Sequence, residues 1–246
     1  MSLNHALLHS RPRYPGLVNT NLGVWSPRSL AGLQLWLDAT TITGLADGDK
    51  VSQWNDLSGN AKHAVNANAP YQPIYKTGIL NGLPAVQFGV AGNGVKLTTG
   101  TISIGNFSLY IVTSPISRKV TYPIIIEQDD VNYGIVIQNE ESTTTFRYVL
   151  GAGDRSGSAL SNGVNYLLTF LSDSTTIYAW INATSQGTSA NTSGGTTRSK
   201  TITLGEQNGS GNCYHGYIME VLLYDSKSSE SDRARISGYL NEKWSI

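Results

Sequence analysis

GYIMEVLLYD (216–225), running on through SKSSESDRARISGYLNEKW (226–244), contains both kinds of order found in this chain. The first ten residues read as a last β-strand. Ser229, followed three residues later by Asp232, then opens a helix in the manner of a capping box, with the shorter Asp in place of Glu. Ile236, Leu240 and Trp244 recur every four residues with Tyr239 beside them, while Arg233, Arg235, Glu242 and Lys243 can face water. A single short helix of this kind, laid on a sheet edge or face, covers what a sandwich leaves open.

Upstream of this stretch the order is all strand. Leu33-Gln34-Leu35-Trp36-Leu37-Asp38 alternates, with the three leucines on one face and Gln34, Trp36 and Asp38 on the other. Further strands are predicted at 51–54, 84–88, 94–98, 107–113, 122–127 and 133–138. The later ones are at 144–150, 164–171, 175–182, 200–204 and 216–224. The intervals carry Gly, Asn, Asp and Ser, and Asn81-Gly82 is a tight-turn dipeptide. With no βαβ rhythm, the pattern predicts an all-β fold, an antiparallel sandwich or barrel, with an extended N-terminal arm and one C-terminal helix.

Composition agrees. Of 246 residues 14% are charged, against about 25% in ordinary soluble domains, and 26 glycines suit short strands and many turns. The formal net charge is zero and no basic stripe is present, which argues against nucleic-acid binding. A lone Cys213 excludes an intrachain disulfide framework and a cysteine-rich zinc site; a small buried side chain is the expected role. No apolar run approaches the ~18 residues of a membrane span.

Residues 1–30 form the arm, broken by Pro12, Pro15, Gly16 and Pro27. They carry more apolar side chains (Leu7, Leu8, Tyr14, Leu17, Leu22, Trp25) than a solvated leader requires, so a segment that packs on its own domain or on a partner is expected. The opening residues lack both the basic and the unbroken apolar regions of a secretory signal. Residues 31–246 form the globular domain.

Three blocks occur in order. They are LQLWLDA (33–39) with VSQWNDLSGNAKHAV (51–65), PIYKTGILNGLPAVQFG (73–89), and the strand–helix unit 216–244. Together they resemble the laminin G-like, concanavalin A-like lectin/glucanase jelly rolls of bacterial surface and phage virion proteins, across about residues 30–246. In the antiparallel jelly-roll β-sandwich that this resemblance implies, Trp36 and Trp54 are expected as core anchors, and His63 as a satisfied structural histidine.

The resemblance also implies a test for catalysis. Laminarinase-type relatives carry Glu-x-Asp-x-x-Glu on one strand, and retaining chemistry needs two carboxyl groups about 5–5.5 Å apart. Here Glu127-Gln128-Asp129-Asp130-Val131-Asn132 has Asn132 at the acid/base position, and an amide cannot donate and recover a proton. The four histidines are scattered, and no nucleophile elbow or phosphate loop is present. A non-enzymatic protein is expected, with no cofactor unless calcium, for which the resemblance suggests Asp129, Asp130 and Asp154, read as loop residues.

Glycans are held by aromatic faces framed by amides and hydroxyls. In Thr175–Asn182, alternation puts Ile177, Ala179 and Ile181 on one face and Tyr178 and Trp180 on the other. If the aliphatic trio faces the core, the aromatic pair is displayed; the reverse stands as an equal alternative. Asn182 and Tyr214, with the polar loops 183–198 and 206–215, complete this candidate glycan site. The expected role is that of a non-catalytic virion structural protein, a capsid decoration or tail/baseplate element made in the host cytoplasm. It would dock on other virion proteins through residues 1–30, as a homo-oligomer or part of a larger assembly, and display the jelly roll for scaffolding or for host-surface glycans. An exported bacterial carbohydrate-binding module at the cell surface is the alternative, followed by a glycoside hydrolase.

Overall fold

The structure, a computed structural model, describes residues 25–89, 94–117, 123–128, 135–139, 146–150, 153–192, 194–206 and 212–246. The strands begin with β1 (Leu33–Asp38), β2 (Gln53–Trp54), β3 (Ala64–Val65), β4 (Ile74–Leu80), β5 (Leu83–Phe88) and β6 (Leu97–Thr98). They continue with β7 (Ile102–Ile104), β8 (Phe107–Pro115), β9 (Ile124–Gln128), β10 (Ile135–Asn139), β11 (Phe146–Leu150) and β12 (Gly153–Gly157). The last are β13 (Tyr166–Ser172), β14 (Thr176–Ile181), β15 (Thr184–Ala190), β16 (Arg198–Lys200), β17 (Ile202–Leu204) and β18 (Gly216–Tyr224), before helix α1 (Glu230–Trp244).

Two antiparallel sheets face each other. The first runs β15-β14-β13-β8-β18-β5-β4, with β1 also on β18; the second runs β12-β11-β10-β9-β17-β6-β3-β2. Leu35, Leu37, Trp54, Phe88, Ile111, Leu168, Ile177 and Leu204 are among the side chains that fill the space between them. A second apolar cluster lies on the outer side of the first sheet, where Tyr110, Val112, Leu167, Met219 and Leu222 meet Ile236, Leu240 and Trp244 of α1. Each of those three helix side chains stabilises by about 1.5–3 kcal/mol on burial. Covered on both sides, β8 and β13 are buried at every position, which is why their sequences read as mostly apolar runs broken only by small Ser and Thr.

Two irregularities redirect side chains. A register shift between Leu33 and Leu35 sends Leu33 to the outer cluster, so the three leucines do not share one face as predicted. A second, between Ile218 and Glu220, lets Ile218 point inwards while Met219 joins the outer cluster. Glu220 then lies beneath α1, where a regular strand would aim its charge into the core.

Around the fully buried Glu220 the first and third of the quoted blocks converge. Its carboxylate accepts hydrogen bonds from Trp36 Nε1 at 2.8 Å, Trp244 Nε1 at 2.7 Å, Tyr239 Oη at 2.9 Å and Lys243 Nζ at 2.7 Å. The Lys243 ammonium also reaches Asp38 Oδ2 at 2.5 Å. Trp54 is an inter-sheet anchor as expected, whereas Trp36 is half-buried on the outer cluster. The indole of Trp36 has a polar edge that needs a partner, and Glu220 supplies it.

The turns follow their residues. Asn81 and Gly82 have φ of 51° and 72° and join Leu80 to its partner Leu83, a two-residue hairpin loop. The Ser229 hydroxyl caps α1 by accepting from Asp232 N at 3.1 Å. Asp56 pins its loop to β1 by accepting from the backbone amides of Trp36, Ser58 and Lys62, and His63 Nδ1 accepts from Asp56 N at 3.0 Å. The arm joins the domain earlier than residue 31: Trp25 packs on Tyr239 at 5.5 Å and Pro27 O accepts from Tyr224 Oη at 3.0 Å. Residues 1–24 lie outside the described residues.

Candidate functional site

The alternation in β14 resolves as displayed aromatics: Ile177, Ala179 and Ile181 enter the inter-sheet core, which places Tyr178 and Trp180 on the outer side of the first sheet. Their rings lie 6.3 Å apart with 12° between planes. Both are already engaged. Lys227 Nζ sits 4.2 Å from the Tyr178 centroid and Arg233 Cζ 4.6 Å from that of Trp180, contacts worth about 0.5–1 kcal/mol at such partly exposed positions. Lys227 is itself held by Asp173 at 2.8 Å, and that contact keeps the Asp173 carboxyl below the usual range. The pair therefore fastens α1 and its leading loop to the sheet.

The other predicted glycan contacts do not join it. Tyr214 is 1% exposed in the inter-sheet core. Its hydroxyl meets Thr113 Oγ1 at 2.8 Å, and burial pushes its pKa up. Its predicted ligand role is thus corrected, because an apolar strand neighbourhood took the ring inwards. Asn182 is exposed, but its Oδ1 accepts from Leu167 N at 2.8 Å and its φ is 53°, so it serves the β14–β15 turn. Asp154 lies in β12, paired with Val149, rather than in a loop. Asp129 and Asp130 lie outside the described residues, as does Asn132. Among the described residues no group of three or more His, Cys, Asp or Glu side chains gathers to hold a metal. Cys213 is buried and accepts from Gly94 N at 3.0 Å.

A different surface emerges on the second sheet. Cross-strand partners run Gln53–Val65, Val65–Thr98, Thr98–Thr203 and Thr203–Glu127. The neighbouring row, Trp54, Ala64, Leu97, Leu204 and Ile126, belongs to the core, so the first row points away from it. It presents an amide, a methyl pair, two hydroxyls and a carboxylate. Its Gln53 end is exposed, while Thr203 and Glu127 are buried.

At that exposed end a cavity of about 180 Å³ opens beside the edge strand β2, lined by Thr41, Ile42, Thr43, Leu45, Lys50, Ser52, Gln53 and Asn55. Six of the eight are hydroxyl, amide or ammonium groups, a dense set of donors and acceptors. Gln53 Nε2 donates to Asn55 Oδ1 at 2.7 Å and Lys50 Nζ to Gln72 O at 3.1 Å. Smaller than the roughly 300–1,000 Å³ sites of drug-sized ligands, it suits one end or one ring of a longer molecule. Sequence reading missed this site, although Ser52, Gln53 and Asn55 stand in the quoted VSQWN stretch. The signal was a run of polar residues on an edge strand, which is also ordinary surface chemistry.

With this geometry in place, comparisons locate the chain among known proteins. The fourth domain of an extracellular GH43 arabinanase from Geobacillus stearothermophilus, solved with arabinotriose, is similar at TM-score 0.58 and 14% identity, covering 83% of this chain and 98% of that one. The botulinum neurotoxin serotype D binding domain matches at 0.56 and 15%, covering 85% and 51%. Trypanosoma rangeli sialidase in complex with the inhibitor DANA matches at 0.57 and 13%, covering 85% and 33%. This chain thus spans about half of the toxin domain and a third of the sialidase. At such identities the likeness is one of fold. No curated protein sequence matches. Residues 89–232, more than half of the chain, match the model of the Laminin_G_3 family. With the two-sheet sandwich and its terminal helix, that match makes the chain a member of the concanavalin A-like lectin/glucanases superfamily.

Proposed function

We propose that this domain is a non-catalytic, lectin-like binding module for a hydroxyl-rich oligosaccharide, engaged at the β2 end of the second sheet. The observation that carries this reading is the cavity of hydroxyl, amide and ammonium groups at Thr41–Asn55, continuous through Gln53 with the outward row of Val65 and Thr98. The outer side of the first sheet is taken up by α1, so the second sheet is the better placed of the two to receive a ligand. The arabinanase domain and the neurotoxin domain, by their descriptions, hold arabinotriose and serve binding, and a similar role fits here. Fold alone would not carry it.

Absence of catalysis is part of the proposal. It rests on Asn132 standing where a retaining glucanase needs a second carboxyl group. The setting we propose is a virion, with residues 1–24 docking on other virion proteins from where Trp25 leaves Tyr239. The apolar residues Leu7, Leu8, Tyr14, Leu17 and Leu22 support that docking role. A second reading, a binding module attached to an extracellular bacterial enzyme, is favoured by the near-complete coverage of the arabinanase domain.

The test is an array of immobilised oligosaccharides probed with the full chain and with Gln53→Ala and Asn55→Ala. Binding by the wild type that falls about tenfold in either variant, a loss of about 1.4 kcal/mol, supports the site. No binding to any oligosaccharide would overturn the reading. Deleting residues 1–24 separates the two settings: lost particle incorporation with retained folding supports the virion, and unchanged assembly sinks it.

A further inference from the structure

Among the described residues three large hydrophobic side chains are exposed, Val65, Tyr71 and Val164, and only Tyr71 is aromatic, at 44% exposure. Val65 stands at the entrance to the loop that carries it. That loop is unusually well fastened. Asn66 Nδ2 donates to Tyr71 O at 3.0 Å and to Lys96 O at 2.9 Å, and Asn66 Oδ1 accepts from Asn68 N at 2.9 Å. The buried Gln72 donates from Nε2 to Asn66 O at 2.7 Å. Lys96 N and Tyr71 N close the loop on Tyr71 O and Asn68 O at 3.1 and 2.9 Å. Pro70 lies within the 3₁₀ turn Ala69–Tyr71 and fixes its own φ.

Beneath the ring the backbone comes close. Gly94 has φ of +94°, and a Cβ there would meet Tyr71 Cδ1 at 2.6 Å. Its amide is anchored on Cys213 Sγ. The loop thus uses its amides on itself and leaves an aromatic ring as its outward feature. The ring rests on Gly94 with its other side open, and an open aromatic face held in place has a physical sense when a ligand covers it. Aromatic side chains offer large contact area at low entropic cost. Tyr178 and Trp180 have cations over their rings; among the described residues Tyr71 has none.

The loop that carries the ring is tied to two residues of the polar cavity. Asn66 N donates to Ser52 O at 2.9 Å and Lys50 Nζ to Gln72 O at 3.1 Å, and both Ser52 and Lys50 line that cavity. We propose that Tyr71 is the stacking platform of the binding site and that its ligand is a neutral saccharide whose C–H face rests on the ring. The hydroxyls of a neighbouring sugar unit meet Ser52, Gln53 and Asn55. This inference rests on the saccharide-binding reading above and adds the residue that supplies the stacking face.

Isothermal titration of the full chain with arabinotriose, cellotriose, laminaritriose and 3′-sialyllactose, each against wild type, Tyr71→Ala and Tyr71→Phe, tests it. The expected result is at least one neutral trisaccharide that binds wild type, about tenfold weaker in Tyr71→Ala and within twofold in Tyr71→Phe. The melting temperature should be unchanged in Tyr71→Phe, which keeps the ring on Gly94, and lower by no more than about 2–4 °C in Tyr71→Ala. Equal binding by wild type and Tyr71→Ala overturns the role of Tyr71 while leaving the binding reading intact. Preference for the sialylated probe overturns the neutral-sugar assignment. A Tyr71→Ala loss accompanied by a larger fall in melting temperature, and not rescued by Phe, assigns Tyr71 to the fold and overturns the platform. Failure of wild type to bind any of the four removes the reading beneath it.

Discussion

Lys243→Met removes one ammonium group from beneath α1 and leaves two buried carboxylates facing each other. Glu220 is fully buried and Asp38 is 4% exposed. Both lose their cation, whose distances are 2.7 Å and 2.5 Å. Removing one partner of a buried ion pair costs about 3–5 kcal/mol. Glu220 keeps the Trp36, Trp244 and Tyr239 donors, which places the expected cost at the lower end, about 3 kcal/mol. For a chain of 246 residues, where 1 kcal/mol shifts Tm by about 2–4 °C, this is a fall of about 6–12 °C. The pH dependence follows from Glu220. Burial first and then the Asp38 charge raise its pKa, and Lys243 lowers it. A carboxyl group with a raised folded pKa contributes stability that is full below its unfolded value and is lost as pH rises through the folded one. Without Lys243 the folded value rises further, so the deficit against wild type is smallest near about pH 4 and grows towards about pH 8. Scanning calorimetry across that range reads both quantities. A deficit below about 2 °C at the alkaline end, or one independent of pH, would refute the assignment of Lys243 as the cation that neutralises this cluster.

Other substitutions probe the remaining assignments. Gly205→Ala puts a Cβ into the Phe88 ring at φ +87° and is expected to destabilise by about 2–4 kcal/mol, read by urea unfolding. Tyr214→Phe breaks the bond to Thr113; it should lower stability by about 1 kcal/mol and leave saccharide affinity untouched in titration calorimetry. Trp180→Ala removes the surface under Arg233. Thermal unfolding should register a loss of about 1–2 kcal/mol, while oligosaccharide binding stays at the wild-type level.

The strands whose two faces differ were legible in the sequence: β14 alternates as read, though which face turns inwards was left open and only the structure decides it for the aliphatic trio. Strand 216–224 and the Ser229-capped helix were found where local chemistry marks them. Strands β3, β4, β7, β12 and β15 were missed. The TSQGTSA run of β15 has no apolar period to read, since it forms an exposed sheet edge whose pairing is set by its neighbour β14. Glu220 was read only as part of a strand, because a bulge turned it and its partners lie far away in sequence. Tyr214 shows the converse: polar company in a loop-like stretch suggested exposure, but its bridge-flanked backbone carries the ring into the core. The Tyr71 site left little trace, since one tyrosine among Asn, Ala and Pro has no period, and only the folded loop shows that it is held outwards.

Backbone amide shifts recorded during titration of the full chain with a neutral trisaccharide discriminate between the two outer faces of the sandwich. Saturable shifts are expected at residues 50–55 and 65–72, with the amides of β14 and α1 unmoved. Shifts centred on Tyr178, Trp180 and the helix, or none at saturating saccharide, would contradict the proposed site.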